Sequence, residues 1–196
     1  MNICFFQYTP VFMELGININ NIQEILLRNE KNILKSDLVV FPEYFLSWSF
    51  SLKFLKEYEQ KFEKFKIVDQ LVDISKKYKE QTFVMGTFVY KNEKWKYFNC
   101  SMAVKNWNIL AKYNKKALIY NENYICDSDN LWSIFEVNWI RCWLSICWDL
   151  ILPEVYRLYT WKIDLMIVPA FWWIWWNALQ TEYKFALEKK YYTSLW

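Results

Sequence analysis

The sequence predicts an α/β fold with mixed sheets. Two stretches, residues 22–33 and residues 67–78, space their apolar side chains at the intervals that form one face of a helix. Short apolar runs bounded by polar residues lie around these stretches and predict buried strands. Strands alternate with helices in two places and follow one another directly elsewhere. Parallel and antiparallel strand pairs should therefore occur together.

The predicted elements follow in order along the chain. A short apolar strand leads into a long helix, and a second long helix should be broken near Phe65. Pro153 opens a helix, because the fixed backbone angle of proline suits a first helical turn. The predicted strands are residues 3–7, 38–41, 82–90, 98–105, 108–111, 133–137, 140–146 and 165–168, and the predicted helices are residues 14–34, 50–78, 153–159 and 177–190.

Composition narrows the class of protein. The chain has 196 residues, of which 55% are hydrophobic and 23% charged, which is typical of a globular protein. Its net charge of +3 is too small to indicate a nucleic-acid or anionic membrane partner. Five cysteines without a CxxC pair favour free thiols in a reducing compartment. The first residues lack the pattern of a signal peptide, and the longest uncharged run, 165–181, is too short to span a bilayer. We therefore expect a cytoplasmic protein.

The strand at residues 140–146 ends directly before a cysteine. This run is mostly apolar, interrupted by Arg141 and by the small polar Ser145, and it is followed by Cys147. The helix that Pro153 opens comes next, with Glu154 in its first turn. A cysteine between a strand and a helix lies at the edge of a sheet, where substrates can reach it. The alternative interpretation is a buried structural cysteine, since free cysteines are among the most buried residues.

The absence of histidine limits the chemistry available to Cys147. With no histidine in the chain, Cys-His and Ser-His-Asp catalysis and histidine-ligated zinc are excluded. If Cys147 is a nucleophile, its base must be a carboxylate or a lysine. Glu43 and Lys115 each follow a strand-like stretch and are candidates, although either one alone could be a solvated charge.

Three segments together resemble the three signatures of the nitrilase, or carbon–nitrogen hydrolase, superfamily, in the same order and with similar spacing. Residues 164–170 also resemble the strand and Pro-Ala turn that follow the cysteine motif in that family. The resemblance extends from residue 2 to about the end of the chain. The three segments are Phe41-Pro42-Glu43, Tyr113-x-Lys115-x-x-Leu118 and Cys147-Trp148-Asp149-x-x-x-Pro153-Glu154-x-x-Arg157.

The resemblance implies a four-layer α-β-β-α sandwich and a catalytic triad. Glu43 would be the general base, Lys115 would stabilise the tetrahedral intermediate, and Cys147 would be the nucleophile. Some members have a second glutamate after the lysine, for which Glu122 is the best candidate. No cofactor or metal is expected, the substrate would be a small amide, and the protein would be a cytoplasmic homo-oligomer.

The residue types suit the hydrolysis of a carbon–nitrogen bond. Thiolate is a strong nucleophile, a carboxylate can take the thiol proton, and an ammonium offsets the charge that develops on the substrate. The backbone N–H of Trp148 would be a second donor to the oxyanion. Ammonia or an amine would leave, and water would then hydrolyse the thioester. Asp149 and Arg157 are expected to pair with each other and brace the turn.

Several alternatives remain at this stage. The family fold continues past the strand that residues 191–195 begin, so we expect residues 1–196 to be a single hydrolase domain truncated at its C-terminus. The leading function is an amidase, acting on amide or carbamoyl groups in preference to nitriles. The chain could instead be a non-catalytic truncated relative that acts as a binding or assembly protein. It could also be the glutaminase domain of a larger synthetase.

The balance of glycine and tryptophan is anomalous. The chain has 2 Gly and 13 Trp, whereas average usage predicts about 14 Gly. Asn106-Trp107 and Asn138-Trp139 each join two predicted strands, where Asn-Gly is the usual hairpin dipeptide. We therefore expect an alternative genetic code in which UGA encodes glycine. The alternative is a genuinely tryptophan-rich chain, with aromatic core residues at Trp95, Trp132 and Trp172. The family has glycine at positions matching Trp107, Trp139, Trp143 and Trp161, where we expect glycine.

Overall fold

The computed structural model describes residues 1–48, 52–119, 122–128, 133–157, 159 and 161–171. The predicted helix 177–190, the predicted strand from 191, Trp132 and Trp172 lie outside these residues. The described part of the chain is a mixed α/β structure, as predicted. Its strands are Ile3–Phe5 (β1), Leu38–Val40 (β2), Thr82–Val84 (β3), Phe88–Lys91 (β4), Tyr97–Lys105 (β5), Asn108–Asn114 (β6), Ile134–Val137 (β7), Ile140–Leu144 (β8) and Leu165–Ile167 (β9).

The helices that fall in predicted segments have shorter bounds than predicted, and the short helix Glu122–Ile125 was not predicted. The predicted helix 14–34 divides after Arg28, and the second long helix is broken where predicted, because Lys66 takes a left-handed backbone with φ of 45°. The α-helices are Leu15–Arg28 (α1), Glu30–Ile33 (α2), Leu55–Lys64 (α3), Ile67–Lys77 (α4), Glu122–Ile125 (α5) and Pro153–Arg157 (α6), and two 3₁₀ helices span Leu52–Phe54 and Cys147–Ile151. Among the described residues, no helix is both long enough and apolar enough to cross a membrane.

Six strands form the larger sheet, with β1, β2 and β3 parallel and the others antiparallel. The long strand β5 pairs with β3 and β4 along one edge and with β6 along the other. Residues 82–90 were predicted as one strand, but the chain turns at Gly86 (φ 23°) and forms two. A Cβ at Gly86 would lie 2.0 Å from the Pro42 carbonyl oxygen, so the turn requires glycine.

The smaller sheet has three strands, with β8 antiparallel to β7 and parallel to β9. One apolar core lies between the larger sheet and α1, α3 and α4, and it includes Ile22, Tyr58 and Leu71. A second core lies between the two sheets and includes Val84 and Leu144. Helices, larger sheet and smaller sheet thus form three successive layers of the described structure.

Tryptophan occupies several tight turns. Trp107 and Trp139 follow Asn106 and Asn138 in the β5–β6 and β7–β8 hairpins, and all four residues have positive φ. Trp95 was considered as an aromatic core residue, and that interpretation is wrong. It lies in the turn between β4 and β5 with φ of 64°, and 76% of its surface is exposed. The turn directs the side chain outward, away from either core.

Candidate active site

Glu43 lies just beyond the end of β2. The backbone N–H of Phe41 donates to the Val84 carbonyl (3.0 Å), which holds this segment against the end of β3. The Glu43 side chain is buried, and its Oε1 accepts a hydrogen bond from Lys115 Nζ at 2.9 Å. Its Oε2 accepts one from the Phe171 backbone N–H at 3.0 Å. Both carboxylate oxygens are therefore held by donors from distant parts of the chain.

Lys115 follows the last residue of β6 and is almost completely buried. Its backbone N–H donates to the carbonyl of Asn99 on the neighbouring strand (2.9 Å), which extends the β5–β6 contact to the lysine. Its ammonium lies 2.9 Å from Glu43 Oε1 and 2.9 Å from Glu122 Oε2. A buried ammonium needs such partners to offset its loss of water. One lysine thus forms ion pairs with two carboxylates.

Glu122 begins α5, and the structure brings it to Lys115. Its Oε2 also accepts the Ile119 backbone N–H at 3.0 Å. Its Oε1 accepts the Tyr44 hydroxyl and, at 2.8 Å, the Asn99 side-chain amide. Each oxygen of Glu122 therefore has at least two donors, which fix the position of this carboxylate beside Lys115.

Cys147 lies at the turn between β8 and the short 3₁₀ helix, as the sequence predicted for a strand end. Its φ of 44° is unusual for a residue with a side chain, and its N–H donates to the Pro169 carbonyl at 2.9 Å. The thiol is hydrogen-bonded to the Glu43 carboxylate, and the Phe171 N–H also lies within reach of the sulfur. Trp148 follows in the same 3₁₀ helix and is half-buried. Glu43 therefore contacts both Lys115 and Cys147.

The site shifts the pKa of each member of this triad. Burial and the neighbouring Glu43 charge raise the pKa of the Cys147 thiol to about 12, so the resting thiol keeps its proton. Burial raises the pKa of Glu43, against the opposing effect of the Lys115 ammonium. Burial disfavours the charged form of Lys115, but the charges of Glu43 and Glu122 outweigh it and raise the lysine pKa. A stronger carboxylate base and a permanent cation therefore lie beside a protonated thiol.

Asp149 connects the turn of Cys147 to the segment after Lys115. Its Oδ1 accepts the backbone N–H groups of Lys116 (3.0 Å) and Ala117 (2.6 Å), and its Oδ2 accepts that of Ile146 (3.0 Å). The predicted pairing of Asp149 with Arg157 is wrong: in the described structure no ion pair joins them, and Arg157 is exposed. The reason is that Asp149 is fully buried among backbone donors, whereas Arg157 lies at the solvent-facing end of α6.

Sequence reasoning missed two polar residues of the site, Asn99 and Tyr44. Asn99 lies within the otherwise mostly apolar strand β5, and a buried polar residue in such a strand is a signal that could have been used. Tyr44 directly follows Glu43 and has a left-handed backbone (φ 53°). Its backbone N–H donates to Thr87 Oγ1 at 2.9 Å. Strain of this kind, at a residue without glycine's freedom, is typical of functional sites.

The other cysteines do not reproduce the surroundings of Cys147. All five thiols are free, as the composition predicted. Cys126 is also buried and lies near Glu122 and Lys115, but its thiol is hydrogen-bonded to the backbone of Asn99. Within the described residues, no group of three histidine, cysteine, aspartate or glutamate side chains is arranged to hold a metal ion.

Comparison with known proteins gives a family and a fold. The model of the carbon–nitrogen hydrolase family matches residues 3–192, whereas no curated protein matches the chain. Glutamine-dependent NAD⁺ synthetase from Acinetobacter baumannii is similar in structure (TM-score 0.76, 20% identity), over 95% of this chain and 35% of that one. An amidase from Nesterenkonia sp. has a TM-score of 0.75 at 16% identity, covering 87% and 64%. Nit3 from Saccharomyces cerevisiae, of branch 10 of the nitrilase superfamily, has a TM-score of 0.74 at 20% identity, again covering 87% and 64%.

These matches span about a third of the synthetase and less than two thirds of the other two proteins. At such low identities the likeness concerns the fold. It confirms the predicted α/β fold class of the nitrilase superfamily.

Proposed function

This chain belongs to the carbon–nitrogen hydrolase family, and on that basis we propose that it hydrolyses an amide or carbamoyl carbon–nitrogen bond through a cysteine thioester. The observation that carries the proposal is the position of one carboxylate. Glu43 holds the Lys115 ammonium at 2.9 Å and is hydrogen-bonded to the Cys147 thiol. A base, a cation and a nucleophile thus meet in one buried site.

In the first step, the Cys147 thiol gives its proton to Glu43 as sulfur attacks the substrate carbon. The sulfur–carbon bond forms, and the carbonyl electron pair moves to oxygen. The Lys115 ammonium and the backbone N–H of Trp148 stabilise the developing negative charge. Glu43 then returns the proton to the nitrogen, the carbon–nitrogen bond breaks, and ammonia or an amine leaves.

In the second step, the thioester is hydrolysed. Glu43 takes a proton from a water molecule as that water attacks the thioester carbon. The carbon–sulfur bond breaks, the acid product leaves, and the proton on Glu43 returns to sulfur. The same carboxylate therefore serves both half-reactions, which agrees with its contact to the thiol.

Glu43 is a better candidate for the base than Glu122. Both oxygens of Glu122 are engaged by the Tyr44 hydroxyl, the Asn99 amide, the Ile119 N–H and Lys115. The Cys147 thiol is hydrogen-bonded to Glu43 instead. The raised pKa of Glu43, caused by burial, strengthens it as a base. Glu122 would hold Lys115 in place.

The test is ammonia release from acetamide, propionamide and L-glutamine by the wild type, Cys147→Ala and Cys126→Ala. We expect Cys147→Ala to lower turnover by about 10³-fold or more, because the covalent route is lost. Cys126→Ala is the matched control, since this thiol is also buried and near Lys115. Turnover retained in Cys147→Ala would refute the mechanism. Hydrolysis of L-glutamine alone would favour the glutaminase alternative.

A further inference from the structure

Asn99 contacts almost every group of the site. Its side-chain nitrogen lies 2.8 Å from Glu122 Oε1, 3.2 Å from Glu43 Oε1 and 3.2 Å from the Tyr44 hydroxyl. Its carbonyl accepts the backbone N–H of Lys115 at 2.9 Å. The residue is fully buried in β5. One asparagine therefore contacts both carboxylates and the backbone of the lysine.

The orientation of this amide follows from its neighbours. Both glutamate oxygens can only accept hydrogen bonds when ionised, and the Tyr44 hydroxyl donates its own hydrogen to Glu122. All three neighbours therefore require a donor, and the –NH₂ group must face them. The amide oxygen in that position would meet three acceptors.

We propose that Asn99 is a positioning residue, which holds Glu43 and Glu122 together on Lys115 so that Glu43 stays aligned with the Cys147 thiol. This inference rests on the proposed function. A neutral donor suits the task, because it binds both carboxylates without adding a second positive charge. A lysine or arginine in its place would weaken Glu43 as a base.

Removal of the amide should change how Glu43 titrates. Among the described residues, the titratable groups near Glu43 are the Lys115 ammonium, the Glu122 carboxylate, the Cys147 thiol and the Tyr44 hydroxyl. The neutral donors are the Asn99 amide and the Phe171 N–H. Hydrogen bonds to a carboxylate favour its ionised form. Loss of the Asn99 donor should therefore raise the pKa of Glu43 further and move the ascending limb of the pH–rate profile to higher pH.

The experiment compares Asn99→Ala and the isosteric Asn99→Asp with Asn114→Ala and Asn114→Asp. Asn114 is the matched control, because it is equally buried in the neighbouring strand but its amide binds the Tyr90 hydroxyl. The readouts are kcat for ammonia release and the pH profile of Cys147 alkylation by iodoacetamide. We expect both Asn99 variants to lose about 10- to 100-fold in kcat and to shift the alkylation profile to higher pH.

The outcomes separate the two proposals. If the wild type releases no ammonia and its alkylation rate does not depend on Glu43, the proposed function fails. If the wild type is active and both Asn99 variants keep its rate and pH profile, only the role of Asn99 is overturned. If both Asn99 variants fail to fold while both Asn114 variants fold, Asn99 has a purely structural role. That result would also overturn the proposed positioning role of Asn99.

A second inference rests on the backbone alone. The described part of the chain contains seven tryptophans, and five of them lie in the left-handed region. Only a few per cent of residues other than glycine have positive φ, and a bulky side chain there is an outlier. The five are Trp48 (φ 71°), Trp95 (64°), Trp107 (71°), Trp139 (68°) and Trp161 (70°).

The turns around these residues have the geometry that glycine normally provides. In the two hairpins, both central residues have positive φ, as in a type I′ turn, for which Asn-Gly is the preferred pair. In the turn between β4 and β5, the backbone N–H of Trp95 donates to the Asn92 carbonyl at 3.0 Å. Glycine is the usual residue at a left-handed position of such a turn. Trp139 and Trp161 are 90% and 92% exposed, so they bury little apolar surface that could offset the backbone strain.

From this we infer that the native protein has glycine at positions 48, 95, 107, 139 and 161, encoded by UGA in a genetic code that reads this codon as glycine. Trp95 and Trp107 do have a lysine ammonium over the ring, at 4.2 Å and 3.9 Å. Such exposed contacts are weak and do not explain the shared backbone. Trp143 does not have positive φ, so its backbone does not indicate glycine at that position.

The test is peptide mass spectrometry of the protein from its natural source, together with the codons at the five positions. We expect glycine masses and UGA at all five. A native peptide with tryptophan at 107 or 139, or UGG codons there, would overturn the inference. Because the masses are read directly, the result does not depend on activity or on folding in another host.

Discussion

Glu43 shows, at the scale of a residue, how two opposing effects set one pKa. Burial removes water from the carboxylate and raises its pKa, while Lys115 lowers it and is the weaker influence. In the proposed mechanism, the free enzyme needs an ionised Glu43 to accept the thiol proton. We therefore expect kcat/KM to fall as the pH drops through a value above the ordinary 4.5 of a glutamate.

This expectation is checked by the pH profile of kcat/KM, with Glu43→Gln as the control. Glu43→Gln should fold but lose turnover, because the amide accepts no proton. Glu59 is a matched carboxylate elsewhere, whose pKa is lowered by its hydrogen bond from Lys91; Glu59→Gln should leave the ascending limb in place. An ascending limb at or below pH 4.5 would contradict the assignment of Glu43.

Asp149 should make a large contribution to stability for a single side chain. Its carboxylate accepts three backbone N–H groups, and Asn at this position would direct an –NH₂ group at one or two of them. We expect Asp149→Asn to lower the free energy of unfolding by about 2–3 kcal/mol, measured by urea denaturation. Asp127→Asn is the control, since Asp127 pairs with Lys96 on the surface; an equal loss there would contradict the role of Asp149.

The sequence identified the charged residues of the site but not their neutral partners. Glu43, Lys115 and Cys147 each follow a strand and are separated in the chain, and it was the resemblance of three segments to the family signatures that proposed them together. Asn99 could not be found in this way, because its role depends on the pairing of β5 with β6, which brings it to Lys115. Hydrogen bonds between distant segments are not visible in one sequence.

At the scale of elements, Gly86 decides how the larger sheet meets the segment of Glu43. Any side chain there would meet the Pro42 carbonyl at 2.0 Å and would also need a positive φ. We expect Gly86→Ala to destabilise the protein by about 3 kcal/mol, measured by thermal denaturation, because the neighbour is backbone and must move. Gly16→Ala is the comparison: its nearest contact is the end of the Phe65 ring, so the loss should be smaller.

In the β5–β6 and β7–β8 hairpins, we expect substitution by glycine to stabilise the protein, unlike the loss expected for Gly86→Ala. Trp107→Gly and Trp139→Gly should each raise the free energy of unfolding by about 1–2 kcal/mol, because the left-handed strain disappears. Trp143→Gly should instead cost about 3–5 kcal/mol, because its fully buried ring stacks on Tyr159. Chemical denaturation of the three variants measures both effects. Destabilised hairpin variants would contradict the strain argument.

Element types were predictable, but several ends were not. The break near Phe65 was predicted and occurs at Lys66. The strand predicted at 108–111 extends to Asn114, since pairing with β5 continues past the apolar run. The 3₁₀ helix that begins at Cys147 was not predicted, because Asp149 fixes it partly through the N–H groups of Lys116 and Ala117, which are distant in the chain.

At the scale of the whole molecule, the two sheets contribute different parts of one site. Glu43, Asn99 and Lys115 come from the larger sheet, and Cys147 follows β8 of the smaller one. Cys147, the proposed nucleophile, therefore reaches Glu43 only when the sheets pack through their shared core. Family resemblance implied stacked sheets and a site that joins Glu43, Lys115 and Cys147, whereas the strand pattern alone predicted only a mixed sheet.

A protein with Cys147 as its only cysteine tests whether the other thiols matter. We expect Cys4→Ser combined with alanine at 100, 126 and 142 to keep ammonia release within about tenfold of the wild type, since none of these thiols contacts Glu43 among the described residues. Restoring each cysteine singly is the control. A rate that recovers only when Cys126 returns would show that a second thiol participates.

The single ammonium shared by two carboxylates also bears on which substrates the proposed reaction would accept. When Glu43 and Glu122 are both ionised, Lys115 leaves one negative charge uncompensated beside the thiol. An uncharged amide meets no repulsion there, whereas a carboxylate next to the scissile bond would be repelled in a poorly screened interior. We therefore expect the site to prefer substrates that are neutral near the reacting carbon. Any anionic group of the substrate should lie several bonds away from that carbon.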